Sequence, residues 1–333
     1  MPVQQSLNTD TVTSLVSDAI AAPSMHNAQP WRFRFRPGRD TFELRRDVTR
    51  SVGGSDSEGR AMHLGCGAAL FNLRVAVAHA GWGAETTLLP GSPGDPLLAA
   101  VRLTRGLAPD MDLSDLHEAL ARRRTSRYPF EEREIPPEVQ TELTRAARLE
   151  GAQLVLPTAW HVDTLLELLH DAEGRDDMEP AQFEDVAHWT RRARQGVSGV
   201  DPTVEGVPEY AFGPRKRDGK APVRDFAGRR HVPGREVADF EANPHLMLLG
   251  TARDGPGDWL RAGQAMERVL LVATRHGLAT SLTSHAVEHA DLRRLVRDPQ
   301  SRMAAVQMVL RLGYGPSGSA TPRRPVRDVL DPG

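Results

Sequence analysis

Three short segments carry side chains suited to holding a planar, phosphorylated ligand. The first, Ala22-Pro23-Ser24-Met25-His26-Asn27-Ala28-Gln29-Pro30-Trp31, puts Ser24, Asn27 and Gln29 on one loop between prolines that restrict the backbone. A hydroxyl and two amides at this spacing offer donors and acceptors to the edge of a polar ring. His26 reads either as a loop hydrogen-bond partner or as a proton donor to substrate. The second segment is Arg122-Arg123-Arg124-Thr125-Ser126-Arg127, and the third is Pro322-Arg323-Arg324-Pro325. Two arginine clusters from distant positions can clamp one phosphate with paired N–H groups, although each alone also reads as a solvated surface run.

Other chemistries fit less well. Gly65-x-Gly67 falls inside a helical pattern and lacks the preceding strand of a dinucleotide fingerprint. His285, Glu288 and His289 share a helical face as zinc ligands might, but no third ligand is apparent at metal-site spacing. The single cysteine, Cys66, lies in an apolar stretch and reads as a packed core thiol; alone it excludes an intrachain disulfide or a CxxC redox pair.

The elements that must position these segments come twice. A helix over Thr11–Ala22, with Asp10 as N-cap, leads into the first loop and then into an edge strand at Trp31–Phe35. A second strand runs through Phe42 and Leu44, a long helix over 58–80 ends at Gly81, and Leu98–Leu103 reads as a buried strand. The order then repeats: a helix at Glu138–Leu149, strands at Leu154–Leu156 and His245–Leu249, a long helix at Trp259–His276 ending at Gly277, and a strand at Val306–Leu312. Gly67, Ala69 and Gly81 match Gly263, Ala265 and Gly277, each 196 positions on, so the two long helices are expected to pack closely across a seam. Residues 171–243 have no counterpart; they are charged, rich in Pro and Gly, and dotted with aromatics, which predicts a lid.

Taken in order, the motifs resemble the nitroreductase superfamily of FMN enzymes. That family carries an Arg-Arg-Ser-x-Arg-like opening, a Pro-Ser-x-x-Asn-x-Gln-Pro-Trp loop, and a Gly-Tyr-Pro and Arg-Arg-Pro tail. Here the tail reads Leu312-Gly313-Tyr314-Gly315-Pro316 and then Pro322-Arg323-Arg324-Pro325. The arrangement is divided between the halves: the first has the loop but no arginine before it, and the second has both arginine motifs but runs from Glu150-Gly151 straight into a strand. This resembles the Acg-type branch, whose members are fused pseudo-dimers with one flavin and a lid. The resemblance implies that Arg123 and Arg323, with Arg124 and Arg324 beside them, grip the FMN phosphate, and that Thr125 assists near the ribityl chain. It places Arg127 near flavin N1 and O2, where a positive charge favours the reduced ring and makes Arg127 the candidate catalytic residue. Ser24, Asn27 and Gln29 would bond the ribityl chain and ring edge, and the segment holding Thr283, Ser284 and His285 would present backbone N–H groups to N5. The family tail often has a basic residue where Thr321 stands, which throws more of the phosphate onto the two arginines.

The fold expected is therefore α+β, two tandem nitroreductase-like halves of largely antiparallel sheet flanked by helices, forming an intrachain pseudo-dimer. The first half is assigned to residues 1–110 and the second to 111–333. The function expected is hydride transfer from NADH or NADPH through one FMN to a small organic acceptor; the alternative is a flavin-sequestering protein whose lid covers the FMN. The balance of 42 basic and 44 acidic residues argues against nucleic acid and membrane partners. With no signal region and no apolar run near membrane length, the chain reads as cytoplasmic, and further association as a homodimer is left open.

Overall fold

A computed structural model describes residues 7–104, 106–176, 178–190, 199–228, 230–301 and 303–331. In the first half, α1 (Thr9–Ala19) is followed by β1 (Trp31–Arg36), β2 (Thr41–Arg46), the long α2 (Arg60–His79), β3 (Ala84–Leu88) and β4 (Leu97–Leu103). In the second half come α3 (Pro137–Leu149), β5 (Gln153–Val155), α4 (Ala159–Asp176) and α5 (Pro180–Thr190). The short strands β6 (Arg215–Asp218) and β7 (Val237–Asp239) precede β8 (Leu246–Thr251), α6 (Pro256–Arg275), β9 (Ala279–Thr283), β10 (Ala305–Gly313) and β11 (Leu330–Asp331).

Four details depart from expectation. The N-cap of α1 is Asn8, whose side chain accepts from the Thr11 amide at 2.8 Å, so Asp10 sits in the first turn. There its charge still suits the helix N-terminus. Strand β1 is not an edge: it pairs antiparallel with β2 and parallel with β11, contributed by the far end of the chain. The second half thus gives its last strand to the first half's sheet, whose order is β11-β1-β2-β4-β3. The expected start of the lid at 171 falls inside α4, which runs unbroken to Asp176; of the expected lid, residues 177, 191–198 and 229 lie outside the described residues. Finally, α2 is apolar and long enough to cross a membrane by length and composition, contrary to the expectation of no such run. It is instead a core helix, with nearly every residue buried.

The second sheet, β5-β8-β10-β9, is wholly antiparallel, which with the first makes the architecture α+β. Between the two sheets α2 crosses α6. A Cβ on Gly67 would run into the Leu260 carbonyl, and a Cβ on Gly263 into the Leu64 carbonyl. Each of these pairs is the other displaced by 196 positions, the reciprocal contact expected where two like units pack about a two-fold axis. Only glycine permits helix backbones to come this close. Cys66, one residue away, is fully buried, and burial pushes its thiol pKa up, so it is an inert core group.

Candidate active site

The first loop leaves α1 and reaches β1 through residues 20–30. Within it His26, Asn27 and Gln29 hold φ of +49°, +56° and +53°, a left-handed backbone that side-chain-bearing residues adopt only when surroundings enforce it. The enforcement comes from three directions. Ser24 Oγ accepts from the Gln29 amide at 2.9 Å within the loop. Asn27 Nδ2 donates to the Gly206 and Pro322 carbonyls at 3.0 Å each. Gln29 donates from Nε2 to the Val204 carbonyl at 2.8 Å and accepts at Oε1 from the Arg324 amide at 2.9 Å. The loop is thereby clasped between the insertion and the C-terminal tail.

The arginine segment lies alongside β9. The Ser126 amide donates to the Thr280 carbonyl at 2.7 Å, Thr280 Oγ1 donates to the Arg124 carbonyl at 3.0 Å, and Ser126 Oγ donates to the Pro316 carbonyl at 2.7 Å. Arg123 and Arg323 then reach under the end of α1. Arg323 uses all three nitrogens, bonding the carbonyls of Ile20, Ala21 and Ala22, Asn27 Oδ1, and its own turn at Thr321 and Pro322. It therefore caps the orphan carbonyls of that helix end. Arg123 Nη2 donates to the Ala21 carbonyl at 3.1 Å and its Nε lies 3.3 Å from Glu267 Oε1 as an ion pair, while among the described residues neither Nε nor Nη1 has a hydrogen-bond partner. Burial and the neighbouring Arg123 lower the Arg323 pKa to about 9, and the same two causes lower that of Arg124. Ser24, Asn27, Arg123, Arg124, Thr125, Arg127 and Arg323 all line one cleft of about 280 Å³, partly open to solvent.

At its other end the cleft meets the insertion. Arg127 Nη1 donates to the Ala211 carbonyl at 2.9 Å and its guanidinium stands 4.8 Å from the Phe226 ring, which meets His26 edge-on at 5.7 Å. Gly213 approaches so closely that a Cβ there would strike the Arg127 carbonyl. Burial first, and then Arg224, lower the Arg127 pKa to about 10. Arg224 pairs with the buried Glu288 at 2.6 Å, and Thr283 Oγ1 donates to the Pro222 carbonyl at 3.3 Å. His26 and His285 are held neutral, first by burial and then by Arg224; among the described residues, the buried His26 Nε2 and His285 Nδ1 have no hydrogen-bond partner.

The structure thus gathers seven of the twelve expected site residues along the cleft. Gln29 and Arg324 stand behind it, Gln29 as a clasp and Arg324 with Nη2 on the Asp328 carbonyl at 3.1 Å. Thr283, Ser284 and His285 lie under the insertion rather than on the cleft wall. Among the described residues no group of three or more His, Cys, Asp or Glu side chains is placed to hold a metal, so the His285–His289 pair has no such company. Sequence reasoning missed Glu267; its signal was a lone acid among Met266, Val269 and Leu270 on a helix otherwise packed there.

A family model described as the nitroreductase family matches residues 120–314. A Mycobacterium tuberculosis protein named as an NAD(P)H nitroreductase is 31% identical over 328 residues, covering 97% of this chain and 91% of that one. Another from the same organism, acg, also named as an NAD(P)H nitroreductase, is 30% identical over 337 residues, covering 97% of this chain and 96% of that one. Among solved structures, a nitroreductase with bound FMN from Bacteroides fragilis matches with 14% identity and a TM-score of 0.36, covering 63% of this chain and 94% of that chain.

Proposed function

Starting from a chain that belongs to the nitroreductase family, we propose that it is an FMN-dependent oxidoreductase with one flavin site, formed between two halves related as the subunits of a dimer. One observation carries the reading: Arg123 pairs with the buried Glu267, Arg323 and Arg124 stand beside it, and among the described residues two buried Arg123 donors keep no hydrogen-bond partner. Three guanidinium groups against one carboxylate leave an excess of two positive charges, which fits the dianion of a phosphate monoester.

When bound, FMN supplies a ring that takes hydride from a reduced nicotinamide and passes it to a small organic acceptor. Arg124 and the free Nη1 of Arg123 hold the phosphate. Arg323 contributes charge rather than a direct hydrogen bond, since its nitrogens already serve α1. Thr125, Ser24 and Asn27 orient the sugar chain from opposite sides of the seam. Arg127 brings positive charge to the ring, in a place where the insertion excludes water and strengthens the field.

A second reading, flavin sequestration, is favoured by the hold of the insertion on Arg127 through Ala211 and Phe226. Anaerobic addition of NADH and NADPH to the FMN-loaded chain separates the two. Bleaching within seconds supports the oxidoreductase, whereas a flavin that bleaches only with dithionite supports sequestration. A chain that takes up no FMN on reconstitution sinks both.

A further inference from the structure

We propose that Glu267 is a positioning residue that couples the binding of a phosphate monoester in the cleft to the uptake of a proton. The inference rests on the flavin-site reading above and deepens it.

Glu267 is fully buried on α6 at the seam, and a carboxylate in that place costs free energy unless it is compensated. Its compensation is Arg123, itself buried, whose Nε stands 3.3 Å from Oε1. Asn72 of α2 approaches the carboxylate without hydrogen-bond geometry, and among the described residues neither oxygen has a hydrogen-bond partner. The other charges acting near it come from different parts of the chain: Arg323 on the tail faces it, and Arg124 acts on Arg323. Burial raises the Glu267 pKa, and Arg123, Asn72 and Arg323 pull it back.

The Ala21 carbonyl takes Nη2 of Arg123 and Glu267 faces Nε as an ion pair, while among the described residues neither Nε nor Nη1 has a hydrogen-bond partner. A dianion arriving on Arg123 and Arg124 cancels the positive field that keeps Glu267 ionised. Its carboxylate then takes a proton from solvent, becomes neutral, and frees the charge of Arg123 for the phosphate. Because the pKa is higher in the bound state than in the free state, the coupling favours binding at low pH. The gain is complete below the free-state pKa and is lost as pH rises through the bound-state pKa.

The test is calorimetric titration of FMN into the apo chain between pH 6 and 8.5, in buffers of different ionisation enthalpy, for wild type and Glu267→Gln. The phosphate's own ionisation contributes equally to both proteins and cancels in the difference. Wild type is expected to take up more protons per FMN than the variant, and its affinity relative to the variant to improve by up to about tenfold per pH unit on acidification. Riboflavin, which lacks the phosphate, should show no such difference. Equal proton counts for FMN in the two proteins, or an equal difference with riboflavin, overturn the proposal. If Glu267→Gln does not fold, Glu267→Asp should retain the uptake, and wild type should take up more protons with FMN than with riboflavin after correction for free phosphate; equal counts overturn the proposal. If wild type binds no FMN at any pH, the flavin-site reading itself fails and takes this inference with it.

Discussion

Where α1 ends against the α2–α6 seam, Arg123 and Arg323 face the carboxylate of Glu267, with Arg124 beside Arg323; where α3 ends against it, Arg74 and Arg268 converge on Glu150. The offset of 196 positions that relates Gly67 to Gly263 also relates Phe71 to Glu267 and Asn72 to Arg268. Both ends lie where a helix stops, α1 at one and α3 at the other. Residues 20–30 separate α1 from β1, whereas residues 150–152 suffice between α3 and β5. The long connection makes a cleft. The short one places Glu150 against Arg74 at 2.5 Å and Arg268 at 2.8 Å, with Gln264 accepting from Arg74 at 2.8 Å and the Phe71 ring 5.5 Å and 5.9 Å from the two guanidinium groups. The sealed end supplies its own counter-charge, while the open end retains unpartnered donors that a ligand would complete. This contrast is the physical reason behind the proposal of one site per chain.

Glu150→Ala breaks the comparison most severely. It leaves Arg74 and the buried Arg268 without a carboxylate, and removing one member of a buried ion pair typically costs about 3–5 kcal/mol. Denaturant unfolding should register that loss while the folded fraction still binds FMN; a loss of FMN binding with stability intact would place the site at the wrong end. Gly263→Ala comes next, since it drives a methyl group into the Leu64 carbonyl at the crossing itself. Overpacking of this kind costs about 1–3 kcal/mol, and both ends should suffer together. Thermal melting with and without FMN reads both effects, and a neutral outcome would mean the helices can separate freely.

Arg124→Ala sharpens the contrast from the open side. Arg124 is only half-buried and its side chain donates from Nη1 to the Arg123 carbonyl next to it, so little of the fold depends on that side chain. FMN affinity should fall by about tenfold, roughly 1.4 kcal/mol, with the unfolding midpoint unchanged. An unaltered affinity would remove Arg124 from the phosphate site.

The matched glycines made the seam legible, because a close helix crossing demands small residues at fixed spacing. The loop and both arginine segments were legible as residue types, but their division of labour was not. Nothing local to Arg323 says that α1, three hundred residues earlier, ends with carbonyls for it to cap, nor does Gln29 announce the Val204 carbonyl as its partner. The reading of β1 as an edge failed for the same reason: its second neighbour, β11, pairs through Phe33 with Leu330 and lies beyond any local pattern. Strand β3 was passed over because Ala84-Glu85-Thr86-Thr87-Leu88 is polar and largely exposed, which removes the apolar alternation of a half-buried strand. Likeness in sequence also conceals unlike surroundings. Val101-Arg102-Leu103 and Leu310-Arg311-Leu312 are alike in sequence, yet Arg102 pairs with Glu85 at the surface whereas Arg311 is wholly buried against Glu241 with the Phe130 ring 3.8 Å away.

A last expected effect separates the two ends by pH. His26 and His285 are kept neutral under the insertion by burial and by Arg224, with pKa values well below the ordinary 6.5. Depressed histidines contribute stability that is present above 6.5 and lost as pH falls through their folded-state values, because the unfolded or undocked segment takes up protons that the docked one refuses. Acid should therefore loosen the insertion over the cleft, by up to about tenfold in the opening equilibrium for each histidine per pH unit. The network of Glu150, Arg74, Arg268 and Gln264 contains no histidine and should not respond in this range. Hydrogen exchange, corrected for intrinsic rates, reads both regions in one sample at pH 8 and pH 5.5. Faster exchange across residues 199–228 with constant protection in α6 is the expected result. Equal loosening of both would trace the change to the whole fold, and no loosening of either would show that the docking of the insertion does not depend on the neutral histidines.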